Sequence, residues 1–210
     1  MIRILIADDH PVFRQGLKQI IAENPDMVVA DEATNGWEVL TKVRTSDYDV
    51  VLLDITMPGM DGLDVLTRLK SEKPRLPVLM VSMHPEEQYA VRALRVGASG
   101  YVTKESAPDE LVVAIRKVST GGKYVSSSLA ERLASVLQEN AEKLPHESLS
   151  LREYRVLCMI ASGKTVSEIA KELSLSVKTI STYRFRILEK MKMKNNAELI
   201  HYAINNHLVD

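Results

Sequence analysis

The 210-residue sequence has very little cysteine, no long apolar run and almost no net charge. Its single cysteine, Cys158, excludes an internal disulfide framework and a zinc site built from several cysteines. The apolar runs that begin at Ile2 and Val50, like the others in the chain, are far shorter than the roughly 18 residues that span a bilayer. The first residues predict a strand rather than a signal peptide. We therefore expect a soluble protein of the reducing cytoplasm.

The near-zero net charge hides a difference between the two ends of the chain. Residues 1–144 carry a net charge of −4, whereas residues 145–210 carry +3. Residues 178–194 alone contain six basic side chains against one acidic side chain. This asymmetry predicts that the C-terminal part contacts a polyanion and that the N-terminal part does not.

Two periodicities alternate over residues 1–120. Short apolar or β-branched runs predict five strands, and stretches with apolar residues at helical spacing separate them. This strict alternation indicates an α/β fold, a doubly wound parallel sheet with helices on both faces. The predicted strands are Ile2–Ala7, Met27–Asp31, Val50–Asp54, Val78–Ser82 and Gly100–Thr103. The helices predicted after the second to fifth strands are Trp37–Val43, Leu63–Leu69, Tyr89–Val96 and Glu110–Val118.

The pattern changes after Thr120, where glycines and serines mark a linker over residues 121–147. One amphipathic helix, Leu129–Leu137, is predicted inside this linker. Strand signals then stop, so we expect a small all-α domain over residues 148–210. Its predicted helices are Leu151–Ala161, Val166–Leu173, Val177–Met193 and Ala197–Asn206.

Acidic side chains follow two of the predicted strands: Asp8 and Asp9 follow the first, and Asp54 ends the third. Ligands of an open parallel sheet bind at the carboxyl ends of its strands. If these two strands are neighbours, three carboxylates converge, and like charges about 4 Å apart repel by roughly 4 kcal/mol at an effective dielectric of about 20. The cluster therefore predicts a hard divalent cation, and Mg²⁺ is typically bound by carboxylates, water and phosphate oxygens.

Asp54 is also a candidate nucleophile, because a carboxylate can accept a phosphoryl group while a cation neutralises the developing charge. The fourth strand ends at Ser82, whose hydroxyl can donate to a phosphoryl oxygen. Lys104 follows the fifth strand and supplies a cation that can pair with the same group. Together these residues predict a site that takes up a phosphoryl group.

Four stretches of residues 1–120 carry a family resemblance: ILIADDHPVFRQGL, DVVLLDITMPGMDGLDVL, PVLMVSMH and GASGYVTKES. In them the sequence resembles the receiver domain of bacterial two-component response regulators, which implies a flavodoxin-like fold. The implied roles are phosphoacceptor for Asp54; magnesium ligation for Asp8, Asp9, Asp54 and the backbone carbonyl of Thr56; switching for Ser82 and Tyr101; and phosphate sensing for Lys104. By this resemblance, Tyr101 turns inward when Asp54 is phosphorylated.

The predicted helices Val166–Leu173 and Val177–Met193 are separated by a short turn, which is the layout of a helix-turn-helix motif. One face of the second helix is apolar. The opposite face carries Lys178, Thr182, Phe185, Arg186 and Glu189. Such a face suits the major groove, where basic side chains bind guanine edges or phosphates and apolar groups contact the thymine methyl. An exposed phenylalanine favours this interpretation over a merely solvated face.

The stretch LSLREYRVLCMIASGKTVSEIAKELSLSVKTISTYRFRILEKMKMKNNAELIHYAI closely resembles the LuxR-type helix-turn-helix domain. A receiver followed by this domain is typical of the NarL/FixJ class. The resemblance implies that Val177–Met193 is the recognition helix and that the helix Ala197–Asn206 contributes to dimerisation. The candidate DNA-binding residues are Lys178, Thr179, Ser181, Thr182, Phe185, Arg186, Lys190 and Lys192. The candidate dimerisation residues are Ala197, Ile200, His201 and Ile204.

We therefore expect a DNA-binding transcription regulator, not an enzyme, that receives a phosphoryl group on Asp54 from a histidine kinase or a small phosphodonor and forms a homodimer. Two alternatives stay open. An aspartate-nucleophile phosphohydrolase would need a second acid two residues after Asp54, where the sequence has Thr56. A phosphorelay protein would use its helical tail to bind protein, and its DNA affinity would be low at any salt concentration.

Overall fold

The structure is a computed structural model that describes residues 1–84, 86–106, 108–131, 144–206 and 208–209. Two compact units divide the chain, Met1–Gln138 and Glu139–Asp210. The strands of the described residues all lie in the first unit. No helix of the described residues combines the length and the apolar character that a membrane span requires.

The first unit alternates strands with helices, as the sequence predicts. Its elements are β1 Ile2–Ala7, α1 Pro11–Ala22, β2 Met27–Ala33, α2 Gly36–Thr45, β3 Val50–Leu53, α3 Gly62–Glu72, β4 Val78–Ser82, α4 Glu86–Val96, β5 Gly100–Thr103 and α5 Pro108–Ser119. All four strand pairings are parallel, in the order β2-β1-β3-β4-β5. The predicted doubly wound five-stranded sheet is confirmed, and β1 and β3 are neighbours.

Helices on both faces of the sheet bury the strand interiors, which explains their continuous apolar sequence. On one face, Ile4 and Leu52 pack in a core with Leu17 of α1 and Ile115 of α5. The opposite side of α1 faces solvent, where Val12 is 88% exposed. This packing fixes the strand ends, and therefore the residues that follow them, at one edge of the sheet.

Helices α2 to α5 all begin earlier than the apolar spacing predicts, and side-chain caps explain the starts of α2 and α3. Helix α2 begins at Gly36 because the Asn35 side chain accepts a hydrogen bond from the Glu38 amide. Helix α3 begins at Gly62 because the Asp61 side chain accepts one from the Asp64 amide. Side-chain oxygens at these positions satisfy amides that the helix itself leaves without a partner.

The second unit contains a 3₁₀ turn, Pro145–Ser148, and helices α6 Leu151–Ala161, α7 Val166–Glu172, α8 Val177–Met191 and α9 Asn196–Asn205. A capping box between Ser150 and Glu153 starts α6. Helix α8 ends two residues before the predicted boundary, because Lys192 adopts a left-handed conformation with φ 55°. Residues 127–131 are helical, but most of the predicted linker helix Leu129–Leu137 lies outside the described residues.

Candidate functional site

The carboxyl edge of the sheet brings together the polar residues that follow its central strands. Asp8 follows β1, Asp54 follows β3, and Lys104 follows β5, while Ser82 is the last residue of β4. The side chains of Asp8, Asp54 and Lys104 are almost fully buried, and Ser82 is fully buried. The parallel order of the strands therefore produces a buried polar cluster.

Lys104 contacts both of the buried aspartates, Asp8 after β1 and Asp54 after β3. Its Nζ atom lies 2.7 Å from Asp54 Oδ2, to which it donates a hydrogen bond, and 2.6 Å from Asp8 Oδ2. The same Nζ lies 4.6 Å from the centroid of the Phe13 ring, within the range of a cation–π contact. One cation is therefore shared by two buried carboxylates, and this holds the cluster together.

Burial raises the pKa of Asp54 above its ordinary value, because the charged carboxylate loses its hydration. The hydrogen bond and charge of Lys104 oppose this effect, and the negative charge of Asp8 adds to it. The carboxylate therefore lies in a site that does not fully compensate its charge. Additional positive charge would favour its ionised, nucleophilic form.

Four side chains could hold a metal ion together. Ligand atoms of Asp8, Asp9, His10 and Asp54 all lie within 4.8 Å of one another. Asp8 Oδ2 and Asp9 Oδ1 are buried without a hydrogen-bond partner, although Lys104 Nζ and His10 Nδ1 lie nearby, at 2.6 and 2.9 Å. These two carboxylate oxygens suit a cation that prefers oxygen ligands, because each has a further lone pair to donate.

His10 is the member of this cluster that the sequence did not predict. Its Nδ1 lies 2.9 Å from Asp9 Oδ1 and 3.3 Å from Asp8 Oδ1, and its ring is largely exposed. Histidine spacing along the chain gave no signal for metal ligation. Its position after two aspartates at the end of a strand was the only available indication.

The loop after β3 is shaped tightly around Asp54. The Thr56 amide donates to Asp54 Oδ1 at 3.2 Å. A Cβ atom at Gly62 would lie 1.8 Å from the backbone oxygen of Asp54, so only glycine fits at the start of α3. Gly59 has φ +74° and supplies the left-handed turn in the same loop. The sequence assigned a role to Thr56 and none to Gly62.

Ser82 and Tyr101 meet through the backbone of His84. The His84 amide donates to Ser82 Oγ at 3.1 Å, and the Tyr101 hydroxyl donates to the His84 carbonyl at 2.8 Å. Tyr101 is fully buried. The tyrosine therefore lies inward in this structure, and its turn on phosphorylation stays a prediction. Its hydroxyl makes the inward position favourable by reaching the His84 carbonyl.

In the second unit, α8 separates an apolar face from a polar one. Ile180, Ile187 and Met191 are buried. Most of the candidate DNA-binding side chains are exposed, and Phe185 is 65% exposed. The exposed candidates are Lys178, Ser181, Thr182, Phe185, Arg186, Lys190 and Lys192, and Thr179 is half-buried. The face is therefore accessible, basic and carries one large apolar group.

Two basic residues of α8 have protein partners. Lys190 Nζ lies 2.6 Å from Oε2 of Glu153, which is 4% exposed. Arg184 Nε donates to Asn196 Oδ1 at 2.6 Å, in the first turn of α9. Arg184 therefore ties two helices together, and Lys190 has a structural partner besides any phosphate it could contact.

The candidate dimerisation residues lie on α9. Ala197, His201 and Ile204 are exposed, and Ile200 is half-buried. Ile204 is an exposed large apolar side chain. This helix therefore presents some apolar surface to solvent while Leu199 and Ala203 bury its other side.

Comparison with protein families agrees with this arrangement in both units. The model of the response regulator receiver domain matches residues 4–116. The model described as bacterial regulatory proteins, luxR family, matches residues 147–203. The two matches cover the sheet with its acidic cluster and the helices α6 to α9.

Full-length relatives share the same order of parts. The response regulator UvrY of Escherichia coli strain K12 is 35% identical over 99% of this chain and 96% of its own length. The response regulator GacA of Pseudomonas viridiflava is 37% identical over 100% and 99%. RcsB from Salmonella enterica serovar Typhimurium, bound to promoter P1flhDC in the presence of phosphomimetic BeF₃⁻, is 27% identical over 96% and 97%, with a TM-score of 0.61. The chain belongs to the NarL/FixJ class of response regulators, with a flavodoxin-like receiver domain followed by a LuxR-type regulatory domain.

Proposed function

We propose that this response regulator binds double-stranded DNA with an affinity that is controlled by a phosphoryl group on Asp54. The observation that carries the proposal is the position of Asp54: it is buried at the carboxyl edge, hydrogen-bonded to Lys104, and its ligand oxygen lies within 4.8 Å of those of Asp8 and Asp9. RcsB, a relative by sequence and fold, has been described bound to promoter DNA with a phosphomimetic. The chain regulates transcription, and its receiver domain supplies the control.

In the reaction, a carboxylate oxygen of Asp54 attacks the phosphorus of the donor. The bond from phosphorus to the donor breaks, the donor leaves with the electron pair, and an acyl phosphate remains on Asp54. Lys104 Nζ already lies 2.7 Å from Asp54 Oδ2, so it can pair with the new phosphoryl oxygens. Ser82 supplies a hydroxyl at the same edge. A phosphoryl group adds a charge of about −1.5 to −2, which these donors would stabilise.

We assign Mg²⁺ as the metal of this site. The ligands would be the carboxylates of Asp8, Asp9 and Asp54 and the backbone carbonyl of Thr56. The convergence of these carboxylates, whose ligand oxygens lie within 4.8 Å of one another, supports a hard cation. When bound, Mg²⁺ supplies positive charge that offsets the developing charge of the transferred group. His10 then lies at the rim of an oxygen-rich site.

The switch we propose uses Lys104, Ser82 and Tyr101. The population of the active state must change by about 10⁴-fold, or about 5.5 kcal/mol, to pass from 1:99 to 99:1. Two charge-assisted hydrogen bonds at about 1.5 to 3 kcal/mol each come close to that value. Tyr101 would contribute by its hydrogen bond to the His84 carbonyl, which holds the backbone there while the ring lies inward.

The DNA-binding surface would be the exposed face of α8, with Lys178, Arg186 and Phe185 at its centre. Lys192 would contact a phosphate of the DNA backbone. Lys190 would contact both such a phosphate and Glu153. Residues Ala197, Ile200, His201 and Ile204 of α9 would form the contact between two DNA-bound copies. We place the domain boundaries at residues 1–120, 121–147 and 148–210.

The proposed partners are a sensor histidine kinase or a small phosphodonor, double-stranded DNA and a second copy of the chain in the cytoplasm. We propose no catalytic turnover of a phosphate ester. Thr56 lies where an aspartate-based phosphohydrolase would need an acid to protonate its leaving group, and a threonine hydroxyl is too weak an acid for that role.

The decisive experiment measures DNA affinity with and without beryllofluoride and Mg²⁺ in the wild type and in Asp54→Ala. We expect tighter DNA binding on activation in the wild type only, with unchanged basal binding in the variant. An equal response in Asp54→Ala would exclude this residue as the acceptor. Mass spectrometry after treatment with acetyl phosphate and Mg²⁺ should locate the adduct on Asp54.

The DNA surface is tested by Lys178→Ala and Phe185→Ala. Both variants should bind the operator more weakly and keep the Asp54 adduct, because these side chains lie in the second unit. Lys178→Ala should also lower the slope of log K against log salt by about 1, as for the loss of one phosphate contact. Lys117→Ala, an exposed lysine of α5, is the control and should leave both quantities unchanged.

A further inference from the structure

Residues 123–129, which we call the strap, return to the sheet after α5. The Tyr124 amide donates to the Ser99 carbonyl at 2.9 Å, and Tyr124 forms a parallel bridge with Gly100 at the start of β5. A Cβ atom at Gly100 would lie 2.7 Å from the Tyr124 carbonyl oxygen. The absence of a side chain at Gly100 therefore allows the strap to extend the sheet at β5.

Side chains of the strap form hydrogen bonds with α5 and with the residues just before β5. The Tyr124 hydroxyl donates to Glu110 Oε1 at 2.7 Å, and burial together with this carboxylate raises the pKa of Tyr124. Lys123 Nζ donates to the Ala98 carbonyl at 2.6 Å. Leu129 is 2% exposed. The first part of the sequence-predicted linker is therefore packed onto the receiver domain.

The strap contacts α4 at the carboxylate of Glu86. Glu86, the first residue of α4, accepts hydrogen bonds from the hydroxyls of Ser126 and Ser128. Ser126 Oγ also accepts from the Leu129 amide at 3.1 Å, which caps the helical residues that begin at 127. Ser126 therefore has two separate roles, a cap and a contact with Glu86.

Glu86 stands close to the residues that surround the acceptor. It lies two residues after His84, whose amide donates to Ser82 and whose carbonyl accepts from Tyr101. Movement of the Ser82 hydroxyl toward a phosphoryl group would move the His84 backbone and the first turn of α4 with it. The hydrogen bond between Ser82 and His84, the short stretch of chain from His84 to Glu86 and the contact of Glu86 with Ser126 together connect the acceptor edge to the strap.

We propose that the Glu86–Ser126 contact is a latch by which the receiver transmits the state of Asp54 to the linker. The inference rests on the proposed function and adds the residues that pass its signal out of the receiver. While the latch is closed, the strap occupies the position next to β5. When α4 shifts, the hydrogen bond between Glu86 and Ser126 changes, and this change is passed to the linker.

The test uses the full chain and a charge reversal. Ser126→Asp keeps an oxygen that can cap the helix but places a carboxylate against Glu86. Combining Ser126→Asp with Glu86→Lys restores attraction between the two positions. Ser127→Ala, at the exposed neighbouring serine, is the matched control. DNA affinity is measured with and without beryllofluoride and Mg²⁺, and adduct formation is followed by fluorine NMR.

We expect Ser127→Ala to keep the ratio of activated to basal DNA affinity of the wild type. Ser126→Asp should lower that ratio toward 1 from a wild-type value in the range of about 5 to 150 that is usual for allosteric coupling. The adduct should form normally, and the double variant should recover most of the ratio. Hydrogen exchange of the Leu129 amide should stay slow in all variants, since the cap is kept.

A wild-type ratio in Ser126→Asp would overturn the latch, as would loss of the adduct in that variant or failure of the double variant to recover. These results differ from failure of the proposed function. In that case the wild type itself would form no adduct on Asp54 or would bind DNA equally well with and without it.

Discussion

At the carboxyl edge of the sheet the functional side chains are buried and bonded to one another, whereas on α8 most of them are exposed. Lys104 lies between Asp8 and Asp54 within 2.7 Å of each. Phe185, in contrast, is 65% exposed. Contacts within the receiver domain hold the first set of side chains in place, whereas most of the second set extend into solvent.

This difference separates the expected consequences of substitution. Removing one partner from a buried charged cluster leaves another group without compensation, which affects stability as well as chemistry. Removing an exposed side chain changes stability by no more than about 0.5 kcal/mol in most cases. Variants at the sheet edge should therefore change folding and phosphorylation together, and variants on α8 should change DNA binding alone.

We expect the largest effect from Gly62→Ala, which should lower both stability and the rate of phosphorylation at the buried sheet edge. The new methyl group would lie 1.8 Å from the Asp54 carbonyl oxygen, so the backbone that carries Asp54 must move. Overpacking of this kind costs about 1 to 3 kcal/mol or more, and a displacement of about 1 Å at a reacting group can lower its rate about 100-fold. Urea unfolding and the rate of adduct formation measure the two consequences.

Gly16→Ala is the control for Gly62→Ala. Gly16 lies within α1, and apart from its chain neighbours and the backbone of its own helix a Cβ atom there would meet nothing within 4 Å. Alanine is favoured over glycine inside a helix by about 0.5 to 1 kcal/mol, so this variant should be slightly more stable and form the adduct at the wild-type rate. If both variants behaved alike, the close approach of Gly62 to Asp54 would not be what positions the acceptor.

Lys190→Ala should be an exception among the α8 variants, because it should lower the stability of the fold as well as DNA affinity. Lys190 pairs at 2.6 Å with Glu153, which is 4% exposed. Burial tends to raise the pKa of Glu153, but hydrogen bonds from Lys190 and Ser150 lower it below its ordinary value. Loss of Lys190 should cost about 1 to 3 kcal/mol, less than for a fully buried pair because Lys190 is partly exposed. Thermal unfolding and DNA titration measure both effects.

Lys192→Ala is the matched comparison, since Lys192 is exposed and follows the end of the helix. It should weaken DNA binding with little change in stability. The stability difference between the two variants should be greatest at neutral pH and shrink as the pH falls, because a carboxylate with a lowered pKa stabilises the fold only while it is ionised. Equal stability of the two variants at pH 7 would show that Glu153 does not depend on Lys190.

Much of the fold was predictable because it depends on short-range patterns. Continuous apolar strands and helical spacing identified all five strands, and the motifs around Asp8, Asp54 and Lys104 indicated one edge of a parallel sheet. The early starts of α2 and α3 depend on the side-chain caps Asn35 and Asp61, which the apolar spacing did not include. Sequence patterns locate elements well when burial dictates the residue type.

The remaining features depend on contacts between residues that are distant in sequence. Glu153 meets Lys190, and the Cβ position of Gly62 meets the backbone of Asp54. Tyr101 was identified as a switch residue, but its inward position depends on the His84 carbonyl. No spacing rule gives these distances, because they follow from how the packed elements meet. The sequence therefore identified the functional residues but not the distant residues that contact them.

The smallest effect expected at the sheet edge concerns Asp54→Asn. Burial raises the pKa of Asp54, so the folded protein binds this proton more tightly than the unfolded chain does. Ionisation of Asp54 therefore opposes folding, and its contribution to stability falls as the pH rises from about 4 through the raised pKa. Asparagine removes that charge, so the variant should be more stable than the wild type at pH 7, by about 1 kcal/mol.

Near pH 3.5 this advantage of Asp54→Asn should largely disappear, because Asp54 of the wild type is then protonated. Added Mg²⁺ should also reduce it at pH 7 by stabilising the ionised wild type. Asp47→Asn provides the control, since that side chain is fully exposed and its replacement should have little effect at either pH. Urea midpoints at the two pH values measure the differences. Destabilisation by Asp54→Asn at pH 7 would mean that Lys104 more than compensates the buried charge, and the acceptor site would then need no cation to be stable.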